Sequence, residues 1–191
     1  MIFIRLRQQI GLFFLKRQIR NLKRERTVSN LHGAQTIGIV YDATDSQEYE
    51  KVKKFCKYLK ERNKRIMALG FVNVKEEDNR LKSQLEYRFF TKKELNWLFK
   101  PSGLEVNSFT EKTFDILIDF SFEENLPLKY ISGLSEAKFK VGPAGMNGTT
   151  FYDMVIDIGK NRTLENLIGN INHYLDMING DNAETSNNNN A

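Results

Sequence analysis

Short apolar runs alternate with amphipathic stretches along most of this chain. Thr36–Tyr41 (TIGIVY) is compact, apolar and rich in β-branched residues, which predicts a buried strand. Arg65–Val72 (RIMALGFV), Leu85–Phe90, Phe114–Phe120 (FDILIDF), Phe139–Val141 and Met154–Ile158 (MVIDI) read the same way. Between them the period lengthens to that of a helix. Thr44 or Asp45 caps a segment whose apolar face is Tyr49, Val52, Phe55, Cys56 and Leu59. Thr91 and Glu94 form a capping box for a short helix through Phe99, ended by Pro101 and Gly103. Pro127 starts a helix that Gly133 closes. Thr163 caps a last one with Leu164, Leu167, Ile168, Ile171, Leu175 and Ile178 on its core face. Lys75–Ser83 is highly charged and reads as a surface excursion. Strands separated by helical segments of about 10–20 residues predict βαβ units. The expected fold is therefore α/β: a single doubly wound, mostly parallel sheet, Rossmann-like or flavodoxin-like, over residues 36–179. The polar tail 180–191 has nothing to bury and is expected to be disordered.

The first 26 residues follow a different pattern. They lack proline and have helical spacing. Ile4, Leu12, Leu15, Ile19 and Leu22 fall on one stripe, and Phe3, Leu6, Ile10, Phe13 and Phe14 form a second apolar patch. Charge sharpens the contrast. Of 29 basic and 24 acidic residues, eight basic residues and only Glu25 among the acids lie in 1–26, a net +7. The remaining 21 basic and 23 acidic residues leave the body at −2. Residues 1–30 thus read as a basic helical arm, and a near-neutral body argues against a nucleic-acid-binding domain. Lys16, Arg17, Arg20, Lys23 and Arg24 are the expected surface-association residues. An anionic membrane surface or a protein partner suits the arm, as does a homodimer on its apolar patches. RNA fits less well, because few aromatics interleave the later basic residues. No run of about 18 apolar residues exists, and Ile10–Leu15 is too short for a secretory h-region. The expected location is cytoplasmic, peripheral to the inner membrane at most.

Candidate chemistry is sparse. Cys56 is the single cysteine, so neither an intrachain disulfide nor a CxxC site can form. His32 and His173 have no spacing relation, so no metal site and no cofactor are expected. In doubly wound sheets ligands bind beyond the carboxyl ends of the strands. That rule selects Asp42 and Asp45 after the first strand, Asp119 and Ser121 after the fourth, and Gly142, Gly145 and Asn147 in the loop GPAGMNG. The first turn lacks the glycines of a dinucleotide or phosphate loop, and its two carboxylates would repel phosphate. Asp42, Asp45 and Asp119 are also ordinary turn and cap residues. No nucleophile–base constellation is visible.

The segment FDILIDFSFEENLPLKYISGLSEAKFKVG, Phe114–Gly142, resembles the signature of a family of short bacterial proteins known only as a domain of unknown function, with the match running from the arm to about Met177. More distantly, Ile118-Asp119, Leu126–Leu134 and Phe139–Gly142 are similar to the amino-terminal half of heptosyltransferase-like GT-B glycosyltransferases. Those enzymes bind nucleotide sugar largely through a second domain, for which this chain leaves no room. The expected function is a binding module that leans away from catalysis and associates through its arm. The alternative is a small enzyme or degenerate glycosyltransferase-like domain with a pocket at the carboxyl edge of the sheet.

Overall fold

The computed structural model describes residues 2–73, 85–122, 125–145 and 148–178. Along the chain lie α1 (Ile2–Asn21), β1 (Thr36–Asp42), α2 (Ser46–Glu61), β2 (Arg65–Val72), β3 (Tyr87–Thr91), α3 (Leu104–Thr110) and β4 (Ile116–Asp119). They are followed by α4 (Leu126–Leu134), β5 (Phe139–Pro143), α5 (Gly148–Phe151), β6 (Met154–Ile156) and α6 (Leu164–Met177). The six strands form one sheet of order β3-β2-β1-β4-β5-β6, and every pairing is parallel. The order reverses direction between β1 and β4, as in the Rossmann arrangement.

Alternation along the strands sorts the side chains into two layers. Ile37, Ile39, Ile116, Ile118 and Val141 pack with Val52, Phe55, Cys56 and Leu59 of α2 and Leu164, Leu167, Ile171 and Leu175 of α6. Val40, Leu69 and Leu117 pack on the opposite face with Val106 and Phe109 of α3 and Leu128 and Ile131 of α4. The same parity turns Asp119 and Ser121 toward α4.

Helix α1 lies on α4 rather than on the sheet. Leu15 is fully buried with Leu126, Tyr130, Phe151 and Tyr152, and Leu12 and Ile19 pack against them. The two helices approach closely because Gly11 carries no side chain. A Cβ there would lie 2.6 Å from the Leu98 carbonyl oxygen and 3.0 Å from Leu126. The Gly11 carbonyl instead accepts a hydrogen bond from the Tyr130 hydroxyl at 2.9 Å. Arg24, just past the helix, ties the chain down. Its guanidinium donates to both Asp153 carboxylate oxygens at 2.5 and 2.6 Å and to the carbonyls of Ala137 and Lys138.

Local signals and tertiary structure part company in the middle of the chain. The Thr91–Glu94 capping box forms, with Glu94 accepting from the Thr91 amide at 2.7 Å, yet it starts only a single 3-10 turn, Lys92–Glu94. Leu95 then pairs with Pro101 in an isolated antiparallel bridge, so the chain turns instead of continuing the helix. Helix α3 follows directly after Gly103, where the sequence pattern suggested only a stop. Helix α1 ends at Asn21, before the last basic residues of the arm. The expected excursion at Lys75–Ser83 and the tail 180–191 lie outside the described residues.

Candidate functional site

Among the described residues two crevices open at the carboxyl end of the sheet, and Ser121 and Phe122 line both. The first lies under α1. It encloses about 290 Å³ and is walled by Arg5 and Leu12 of α1, Leu126 and Lys129 of α4, and Phe151 and Tyr152. Its floor is a buried polar network around Asp119, which is wholly inaccessible to solvent.

Each member of that network is placed by local geometry. Strand parity aims the Asp119 carboxylate at α4. Lys129 and Ser132 sit three residues apart on α4, one above the other on the same side. Tyr152 arrives from beyond α5, and its ring covers Gly142 so closely that any β-carbon there would collide with it. Oδ1 of Asp119 accepts from the Ser121 amide at 2.8 Å and the Ser121 hydroxyl at 2.5 Å. Oδ2 accepts from the Ser132 hydroxyl at 2.6 Å and the Tyr152 hydroxyl at 2.7 Å. The Lys129 ammonium stands 3.6 Å from Oδ2 and donates to the Ser121 hydroxyl at 3.2 Å and to the Tyr152 hydroxyl. Burial, followed by the nearby Asp119 charge, raises the Tyr152 phenol well above its ordinary range, so it stays a neutral donor.

A carboxylate holding four donors has no lone pair aimed at a substrate. Asp119 is therefore an anchor. It fixes three hydroxyls, two of which, those of Ser121 and Tyr152, in turn fix the Lys129 ammonium, which keeps a third N–H beyond these two partners. A buried charge held this way is costly to disturb.

The second crevice, of about 670 Å³, lies between β1, α2 and α6 and holds Asp42, Asp45, Glu48, Asn125, Arg162 and Glu165 among its lining residues. Its carboxylates serve the backbone. Asp45 caps α2 by accepting from the Gln47 and Glu48 amides, and Asp42 accepts from the Thr44 amide at 2.9 Å and from Asn125 at 3.1 Å. Among the described residues no three His, Cys, Asp or Glu side chains are grouped to hold a metal ion.

The structure therefore divides the positions selected from sequence. Asp119, Gly142 and Gly145 belong to the crevice under α1, with Asp119 beneath its floor, Gly142 behind Tyr152 and Gly145 at the rim. Asp42 and Asp45 belong to the other crevice, and Asn147 lies outside the described residues. Sequence reasoning passed over Lys129, Ser132 and Tyr152. One signal was available: Lys129 is the only charged residue of α4, LPLKYISGL.

The surface-association residues also divide. Arg17, Arg20 and Lys23 are exposed, Lys16 is half-buried, and Arg24 is committed to Asp153. On the outer face of α1, Phe3, Leu6, Phe13 and Phe14 are 81%, 50%, 59% and 42% exposed, directly opposite the docked Leu15. No helix among the described residues is long and apolar enough to cross a membrane.

No curated protein matches this chain. A family model covers residues 7–178, from the second turn of α1 to the end of α6, and the chain accordingly belongs to the family of unknown function DUF6913.

Proposed function

We propose that the protein is an α/β binding module that associates with an anionic lipid surface through the outer face of α1. The observation that carries this reading is the two-sidedness of the helix. Leu12, Leu15 and Ile19 dock it on α4, while Phe3, Leu6, Phe13 and Phe14 remain in solvent. Large exposed aromatics clustered on one helix face are uncommon unless something covers them. The surrounding charge favours an anionic cover. Residues 1–26 carry a net +7, with Arg17, Arg20 and Lys23 exposed. A second copy of the same helix would bring like charge against like, whereas an anionic bilayer attracts each basic residue by about 1 kcal/mol. The aromatic side chains then enter the headgroup boundary while the arginines and lysines meet lipid phosphates. A binding role is also supported by Asp119, whose oxygens are occupied by four donors of the protein itself.

Co-sedimentation of the full chain with phosphatidylglycerol-containing and purely phosphatidylcholine vesicles tests the reading. Binding is expected to the anionic vesicles only and to weaken with added salt. Phe13→Ser with Phe14→Ser is expected to lower the bound fraction roughly ten-fold or more by removing the buried apolar area. Equal binding by wild type and that double variant overturns the proposal, as does a salt-independent dimer in light scattering that the double variant loses.

A further inference from the structure

We infer that the cavity under α1 is a binding site for a small monoanionic carboxylate with an apolar body, and that Lys129 is the group that selects it. The inference does not rest on lipid association. It stands on the cavity and on the network at its floor.

The cavity is near the lower end of small-molecule sites, which run from about 300 Å³ upward. Its walls are largely apolar: Leu12 and Leu126 on one side, Pro143 and Phe151 on the other. Such a lining accepts a hydrocarbon or ring and excludes a heavily hydrated group. Its polar groups are Arg5, Gln8 and Gln9 on α1 and, at the floor, Ser121, Lys129 and Tyr152. There Ser121 and Tyr152 spend their protons on Asp119, so neither hydroxyl has a proton left for a ligand. Both accept from Lys129. The ammonium is thus the donor that the floor presents, held by two oxygens and by the ion pair to Asp119.

Charge sets the ligand's sign and size. Lys129 and the rim residue Arg5 are two cations, and Asp119 beneath them is one anion. The local sum is +1, which a single carboxylate neutralises. A phosphate dianion would exceed it and would need several convergent donors. No backbone nest or second buried cation supplies them among the described lining residues. Preorganisation helps as well: the ammonium is already stripped of most water and fixed in place, so a carboxylate meets a donor that has little further to lose on binding.

The arrangement also explains why a buried carboxylate is kept at Asp119. Without it the Ser121 and Tyr152 hydroxyls would be free to rotate, and Lys129 would stand in an apolar cavity without a counter-ion. Asp119, Ser121, Ser132 and Tyr152 are positioning residues, and Lys129 is the contact.

Octanoate is a suitable probe, with 1-octanol as its neutral counterpart and inorganic phosphate as an anion without an apolar body. Amide chemical shifts of the full chain, followed through a titration, report both affinity and place. Octanoate is expected to shift amides at 119–122, 126–130 and 143–145 together with those of the α1 residues that face the cavity, Gln8, Gln9 and Leu12. Inorganic phosphate is expected not to compete. Lys129→Met is expected to weaken octanoate roughly ten-fold or more and to leave octanol unchanged. Leu12→Trp fills the cavity from α1 without touching the network, and is expected to abolish both. That variant decides the matter if Lys129→Met does not fold. Shifts confined to the outer face of α1, phosphate competing as well as octanoate, equal loss of both probes in Lys129→Met, or undiminished binding in Leu12→Trp would each overturn the inference.

Discussion

The two crevices at the end of β4 hold similar residue types and differ in what surrounds them. In the one between α2 and α6, Asp42 and Asp45 lie near solvent and accept from nearby backbone amides. In the one under α1, Asp119 is wholly enclosed and accepts from three hydroxyls and one amide beside a lysine. The first arrangement shapes a turn and starts a helix. The second holds a cation in place at the floor of a cavity. Burial makes the difference, because a charge near water is screened and replaceable whereas an enclosed one is bound to its partners.

The contrast can be broken most directly at Asp119. Asp119→Ala leaves the half-buried Lys129 without its counter-ion and three hydroxyls without their acceptor, and is expected to cost roughly 3–5 kcal/mol in denaturant unfolding. A loss below about 1 kcal/mol would mean that the network holds nothing. Lys140 gives the next largest effect and sharpens the comparison with Lys129. It is buried on the same face, and its ammonium donates to the Gly133 carbonyl at 3.0 Å. Burial, followed by repulsion from Arg24, lowers it from the ordinary lysine value to about 7. Above pH 7 the unfolded chain therefore binds a proton there that the folded chain lacks, so this group's contribution to stability rises from pH 7 to about pH 10.5. Below pH 7 both states are charged and the burial cost is present in full. Lys140→Met is expected to flatten that rise, and equal slopes for both proteins would refute the assignment.

Tyr152→Phe removes one donor from Asp119 and one acceptor from Lys129, with an expected loss of about 1–3 kcal/mol. Asp45→Ala removes the α2 cap and is expected to cost about 1 kcal/mol. Asp42→Ala touches only a turn amide and Asn125, and is expected to stay within about 0.5 kcal/mol. If the Asp42 and Asp45 variants destabilise as much as Asp119→Ala, the distinction between the crevices fails.

Much of this molecule was legible in the order of its residues. The apolar runs TIGIVY, RIMALGFV, FDILIDF and MVIDI became parallel strands, and Asp45 and Thr163 cap the helices after β1 and β6. Period and capping are local properties, so they survive in a single sequence. The helix expected after Thr91 was lost because its capping box is local while the Leu95–Pro101 bridge that overrides it is not.

The sequence alone determined the α/β class, the basic character of the first 26 residues and the placing of Asp119 at a strand end. Tertiary structure decided that α1 docks on α4 by one face and leaves the other in solvent. It also decided that Ser121, Lys129, Ser132 and Tyr152 meet at one carboxylate. Those residues are brought together by a parallel crossover and by the absence of a side chain at Gly142, and no spacing along the chain encodes either. Enclosure is likewise a property of the assembled layers, and it is enclosure that separates Asp119 from the carboxylates of the neighbouring crevice.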